Sequence, residues 1–329
     1  MVRLFSFAGM AVFVFGRIPR IMPPVMPNAL SQTQHSEKRL LGALLMVGAF
    51  TLIPLGEGIG KSLMASLPPL EVMCGRFTAH FLWLAPFVIF RHREKLIHEF
   101  HPRAQIIRGA FLSVAILFFV LSISVIPLAR AVALSLVALF IVAALSFAVL
   151  GERVRASHFI CIAGGFGGVL LIARPDAGLE WHNIFAIICG VFYALFLLAS
   201  RKLPAAPPEV GSFYVAAVGA AALLPLMFFV ETKPPGAGEI AFFAVIGGVI
   251  ALAHYLLALA FKYAKAAFLS LFTYWEIAAA VIIGLILHGD IPDAREWLGI
   301  AVIVFCGIMM ALHGEKRAEC RPASIPEKR

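Results

Sequence analysis

Several charged and polar side chains stand alone inside long apolar runs, where each must have a partner or a use. Glu57 and Lys61 lie four residues apart, with Gly56, Gly58 and Gly60 around them. That spacing puts both on one helix face, with the acid N-terminal to the base, the favourable order for an ion pair. A pair of this kind is either a fixed salt bridge at the end of a helix or one that opens for a zwitterionic or anionic ligand. Arg76 follows in the next apolar run. Its planar guanidinium can clamp a carboxylate bidentately, or it can pair with Glu57, Glu71 or Glu276 for structure. His80 lies one turn further on and reads as a packing residue, with a share in the same cavity as its alternative. Glu276 follows Tyr274 and Trp275 about ten residues from either end of its apolar run. A carboxylate at that depth must pair or take up a proton, so it is a candidate for proton coupling or for holding an amine. His254 is a candidate hydrogen-bonding or proton-exchanging group, with helix packing as its alternative.

These residues need helices that cross a membrane. Hydrophobic residues form 61% of the 329-residue chain and charged residues 14%, and the mean hydropathy is +0.95. A soluble chain of this length needs far more charged surface. The apolar blocks have the length that spans about 30 Å of hydrocarbon as a helix. Ten spans are expected at about 40–62, 71–90, 105–123, 130–150, 157–173, 182–199, 211–230, 239–260, 266–287 and 297–313, separated by Pro, Gly and Asp turns. Residues 1–39 read as a cytoplasmic tail, disordered or the product of an over-extended start, and 314–329 as a basic cytoplasmic tail.

The net charge of +9 is informative by position. With the N-terminus inside, 21 of the 27 Lys and Arg fall at cytoplasmic ends or in the tails, and only Lys61, Arg130, Arg174, Lys233 and Arg295 fall outside. That bias supports an even helix count with both termini cytoplasmic, and gives no reason to expect a nucleic-acid partner. Arg108 is one of the residues assigned to the cytoplasmic side. The five cysteines show no metal-ligand or disulfide spacing. The run Gly164-Gly165-Phe166-Gly167-Gly168 lacks the preceding strand that phosphate cradling requires, so it serves close helix packing. Neither a metal nor a cofactor is expected.

The chain also repeats itself. An offset of 138 residues superposes Gly151-Glu152 on Gly289-Asp290, and an offset of 139 superposes Gly168 on Gly307. Each half, 40–173 and 174–313, ends as a long helix, a short Gly-acidic turn and a Gly-rich helix. Five helices per half is an odd number, so the second half enters the bilayer inverted. Inverted repeats place a substrate site near the midplane between the halves.

At these motifs the chain resembles the drug/metabolite transporter superfamily, in its EamA-type branch. The resemblance rests on Gly151-Glu152-Arg153-Val154, on the run from Gly165 to Ile172 followed by Arg174-Pro175, and on Tyr274 sixteen residues before Asp290 with Pro292 behind it. The Glu57/Lys61 pair followed by Arg76 also looks like branch members. Leu139 departs from the pattern, standing where the family often has a helix-kinking proline, and so does Glu276. The resemblance implies an all-α integral membrane protein of two inverted five-helix repeats that moves a small metabolite by alternating access. An inner-membrane location, a monomer or homodimer, and protons as coupling ion are the accompanying expectations. Glu57, Lys61, Arg76, His254, Tyr274, Trp275 and Glu276 are the expected substrate-binding residues. A membrane-embedded enzyme or a non-transporting membrane protein is the alternative, but no clustered catalytic side chains favour it.

Overall fold

A computed structural model describes residues 29–92, 96, 100–150, 156–174, 181–203, 207–229, 235–264 and 266–319. All regular structure among them is helical: α1 Ala29–Leu63, α2 Pro69–His92, α3 Pro102–Ile123, α4 Leu128–Ser135, α5 Val137–Leu150, α6 Ala156–Ala173, α7 Trp181–Lys202, α8 Pro208–Leu223, α9 Ala237–Tyr263, α10 Ala266–Leu269, α11 Trp275–His288 and α12 Ala294–Glu319. Short 3-10 turns follow α8 at Leu224–Phe229 and α10 at Ser270–Tyr274. Among the described residues seven segments suffice by length and composition to cross a membrane, and Phe159–Ala173 and Glu209–Leu223 are shorter apolar helices. With α12 they make ten segments, the fourth being α4 with α5 and the ninth α10 through α11.

Two boundaries differ from the sequence reading. The first helix begins at Ala29, before the expected Leu40, because the residues after Pro27 include good helix formers and no further proline until Pro54. The last helix likewise runs past His313 to Glu319. The Gly151-Glu152 turn of the first half, residues 1–28 and residues 320–329 lie outside the described residues.

The packing obeys the expected symmetry. Segment 1 lies along segment 8, and segment 3 along segment 6. Segment 4 packs on segment 6, as segment 9 packs on segment 1, while 2 pairs with 7 and 5 with 10. Exchanging every segment for its counterpart five places along maps this set of pairs onto itself, as a two-fold axis between inverted halves requires. The breaks within segments follow the same rule. Segment 4 is interrupted at Leu136 and segment 9 at Tyr274, positions separated by the 138-residue repeat offset. No proline stands at either break. In segment 4 the Ser135 hydroxyl donates to the Val132 carbonyl at 2.8 Å, a back-bond that bends helices. The Leu139 amide donates to Leu136 O at 3.0 Å, a tight three-residue turn at the position where the family's proline has no N–H to give.

Segments 5 and 10 meet backbone to backbone. A Cβ on Gly168 would lie 3.0 Å from the Gly299 carbonyl, and one on Gly299 would lie 2.9 Å from the Gly168 carbonyl. This confirms helix packing as the use of that glycine run. Substituting Gly168 by Val therefore forces α6 and α12 apart. The expected loss is about 1–3 kcal/mol of stability, read as a lower melting temperature in detergent.

Candidate functional site

Glu57 stands near the end of α1, turned toward α2, where the Arg76 Nη1 meets its Oε1 at 2.7 Å. Both residues are only 6% exposed. Removing two charges from water is costly, and only close pairing offsets it. Glu57 and Lys61 do not form the helical pair that their spacing suggests. Lys61, one turn further along, reaches about 6 Å closer to the end of the bundle. There its Nζ donates to Asp290 Oδ2 and to the Ile126 carbonyl, each at 3.0 Å. The turn at Gly289 explains the choice. Its φ of 71° closes α11, with its N–H on Leu285 O and that of Asp290 on Gly284 O, which sets Asp290 over Lys61.

Glu276 comes from the second half, in the first turn of α11 directly after the 3-10 break. It is half-buried, lies within electrostatic range of Glu57, and has Tyr193 and Cys189 of α7 beside it. Among the described residues no cation pairs with it. Two carboxylates, one from each half, thus lie within electrostatic range of each other, and among the described residues only Glu57 has a cation against it. Glu276 is therefore the group that one more positive charge, a proton or a substrate cation, would satisfy.

A histidine pair adjoins it. His80, 2% exposed, lies one turn beyond Arg76 on α2 and shares a 3.0 Å hydrogen bond with the Ser212 hydroxyl of α8. His254 of α9 stacks on it, with ring centroids 5.4 Å apart and planes 11° from parallel. His254 lies within electrostatic range of Arg76 and of Arg108 from α3.

Glu57, Arg76, Glu276 and His254 therefore come together as the sequence suggests, joined by His80, which had read as packing. Lys61 is drawn away by Asp290. Tyr274 is buried beneath Gly307 of α12, where any side chain would strike its hydroxyl, so it packs the break in segment 9. Trp275 is exposed and donates from Nε1 to Thr51 Oγ1 at 2.9 Å. Ser212, Cys189 and Arg108 carry no site signal in the sequence and Tyr193 reads there as a packing or interfacial aromatic, because only the packing of α3, α7 and α8 turns them toward this group. A groove of about 770 Å³ lies elsewhere, on the flank between α2, α9 and the 3-10 turn after α8, lined by Thr78, Leu82, Trp83, Leu224 and Phe243 among others.

At the end of the bundle where α1 stops, the halves are held by three ion pairs. Lys61 and Arg130 of the first half, and Arg174 at the junction of the halves, meet Asp290, Glu296 and Asp293 of the second. All three acids sit in the turn before α12 or in its first turn. Asp293 and Glu296 also cap that helix: Asp293 Oδ1 accepts from the amides of Arg295 and Glu296 at 2.9 Å, and Glu296 Oε2 accepts the Asp293 amide at 3.0 Å.

The model of the EamA-like transporter family matches residues 40–174 and 180–312. The chain belongs to that family, within the drug/metabolite transporter superfamily, and is a multi-pass membrane protein whose relatives are named transporters. It is 24% identical over 300 residues to a riboflavin transporter of Rhizobium johnstonii, covering 90% of this chain and 99% of that one. It is 23% identical to an S-adenosylmethionine uptake transporter of Rickettsia felis (80% and 89% covered). It is 24% identical to the pseudopaline exporter CntI of Pseudomonas aeruginosa (80% and 94% covered). A solved crystal structure matches with a TM-score of 0.57 at 20% identity, over 86% of this chain and 99% of that chain, which shows the fold.

The buried pair generates a double-mutant test. Arg76→Met leaves the Glu57 carboxylate buried without a cation and is expected to cost about 3–5 kcal/mol. Adding Glu57→Gln removes the orphaned charge and should recover most of that loss, measured by denaturant unfolding of the single and double variants.

Proposed function

We propose that this transporter moves a small polar metabolite, an amino acid, organic acid or related compound, across an inner membrane by alternating access. What carries the reading is the convergence of Glu57, Arg76 and Glu276 at the interface between two inverted halves. A substrate carboxylate competes with Glu57 for the Arg76 fork, and a substrate amine or a proton satisfies Glu276. The ion pair then opens only when a ligand replaces one partner, so the cost of breaking it is met by binding. The relatives support a broad cargo class, since their names span riboflavin, S-adenosylmethionine and pseudopaline and include both uptake and export.

The distribution of Lys and Arg supports cytoplasmic termini. In that orientation Lys61–Asp290, Arg130–Glu296 and Arg174–Asp293 form a latch on the outer side, which supports reading this arrangement as a carrier closed toward the outside. Glu276, with no ion-pair partner among the described residues, is the coupling carboxylate.

In proteoliposomes, Glu276→Gln is expected to abolish accumulation driven by an imposed proton gradient while leaving exchange of preloaded substrate intact. Unchanged accumulation removes proton coupling through this residue. A thermal-shift screen of amino acids, organic acids, vitamins and nucleotides should give hits whose stabilisation disappears in Arg76→Ala. Spin labels at Ser66 and Ile291, both exposed at the latch end, report its state. Asp290→Asn should add a longer-distance population that the unsubstituted chain lacks.

A further inference from the structure

Arg108 lies about 9 Å into α3 from its start at Pro102, at the end of the bundle opposite the latch. Its neighbour in sequence, Arg103, is exposed at the helix end, whereas Arg108 turns inward. The guanidinium stands over the Phe196 ring of α7, with Cζ 5.1 Å from the ring centroid. Its Nε is sealed from solvent without a hydrogen-bond partner. Among the described residues no carboxylate pairs with it.

Space for the group is supplied by Gly211 of α8, where a Cβ would lie 2.6 Å from Arg108 Nη2. The next residue is Ser212, the partner of His80. Phe196 is itself stacked on Tyr193, with ring centroids 5.9 Å apart and planes 12° from parallel, and Tyr193 lies within electrostatic range of Glu276. Arg108 thus joins the group around Glu276 through a run of aromatic faces, and joins the histidine pair through electrostatics. A guanidinium held by its face on a ring keeps its in-plane N–H donors for a second partner, and these fit carboxylate or phosphate bidentately. A guanidinium whose Nε is sealed from water without a partner is costly to the empty protein. Charge alone, as a topology signal, would be served by an exposed residue such as Arg103.

We propose that Arg108, with Phe196 and Gly211, forms a subsite for the carboxylate or phosphate of a ring-bearing substrate. This deepens the transport reading and rests on it. The anion sits in the plane of the Arg108 fork and the ring follows the Phe196–Tyr193 stack, which directs the rest of the molecule toward Glu276. Arg76 is held by Glu57 until a substrate competes for it, whereas Arg108 has no carboxylate partner among the described residues, so Arg108 adds to the preference for anionic cargo.

The test uses the purified full chain in detergent, with benzoate and phenyl phosphate as probes at constant ionic strength and with neutral benzamide and chloride as controls. At least one of the two anions is expected to raise the melting temperature, and benzamide is not. In Arg108→Gln the apparent affinity for that anion should fall by about tenfold or more. Gly211→Val keeps the arginine but displaces its fork and should weaken the same anion, which preserves the comparison if Arg108→Gln does not fold. The subsite is overturned if neither anion stabilises the unsubstituted protein beyond the controls, or if both stabilise the variants equally well. Anion binding without uptake in proteoliposomes refutes transport and keeps the subsite. Uptake without any anion effect does the reverse.

Discussion

Hydrocarbon offers a buried charge nothing, and the arrangement of the whole bundle answers to that. Glu57 and Arg76 can sit at 6% exposure only because α1 and α2 bring them to 2.7 Å of each other. The glycines around Glu57 and the close approach of neighbouring helices follow from the same need, since a pair without a tight fit would lose more in desolvation than it regains. Glu276 enters from the opposite half and sets a second negative charge near the first. Neither half alone holds all three of these charges, and within the first half only the Glu57–Arg76 pair is balanced.

Much of this was legible in the sequence because period and charge are local signals. Helix positions, the repeat offset and the intramembrane acids needed no tertiary knowledge, and the family model matches the chain in two stretches, 40–174 and 180–312. The partner of Lys61 was not legible. Spacing of four residues favours Glu57, yet the chain closes a contact 229 residues away because the left-handed turn at Gly289 delivers Asp290 to the same place. Arg108 and Ser212 were hidden for a related reason. One looked like part of the basic bias that orients the chain, and the other like any helix serine, until α3 and α8 packed them inward. Tyr274, prominent in the motif, serves the break in segment 9 instead.

The breaks themselves show how a repeat can keep a geometry while losing the residue that makes it. Leu139 stands where a proline would force the interruption of segment 4, and the interruption is present nonetheless, three residues earlier and supported by Ser135. Its counterpart at Tyr274 falls in the same register of the second half. Leu136 and Tyr274, at the two breaks, are both buried, and irregular backbone in a membrane protein is tolerated where protein or a water-filled cavity surrounds it.

The seam between α6 and α12 has one more meaning. Gly168 and Gly299 bring two main chains together with no side chain between them, so neither helix can slide past the other without collision. The contact still permits a small change of crossing angle. A seam that resists sliding but tolerates tilting is a fulcrum. In the alternating access proposed above, segments 1, 2, 7 and 8, packed together in the rest of the bundle, would be the long arm of the lever, where a few degrees at two glycines become ångströms of travel at the helix ends.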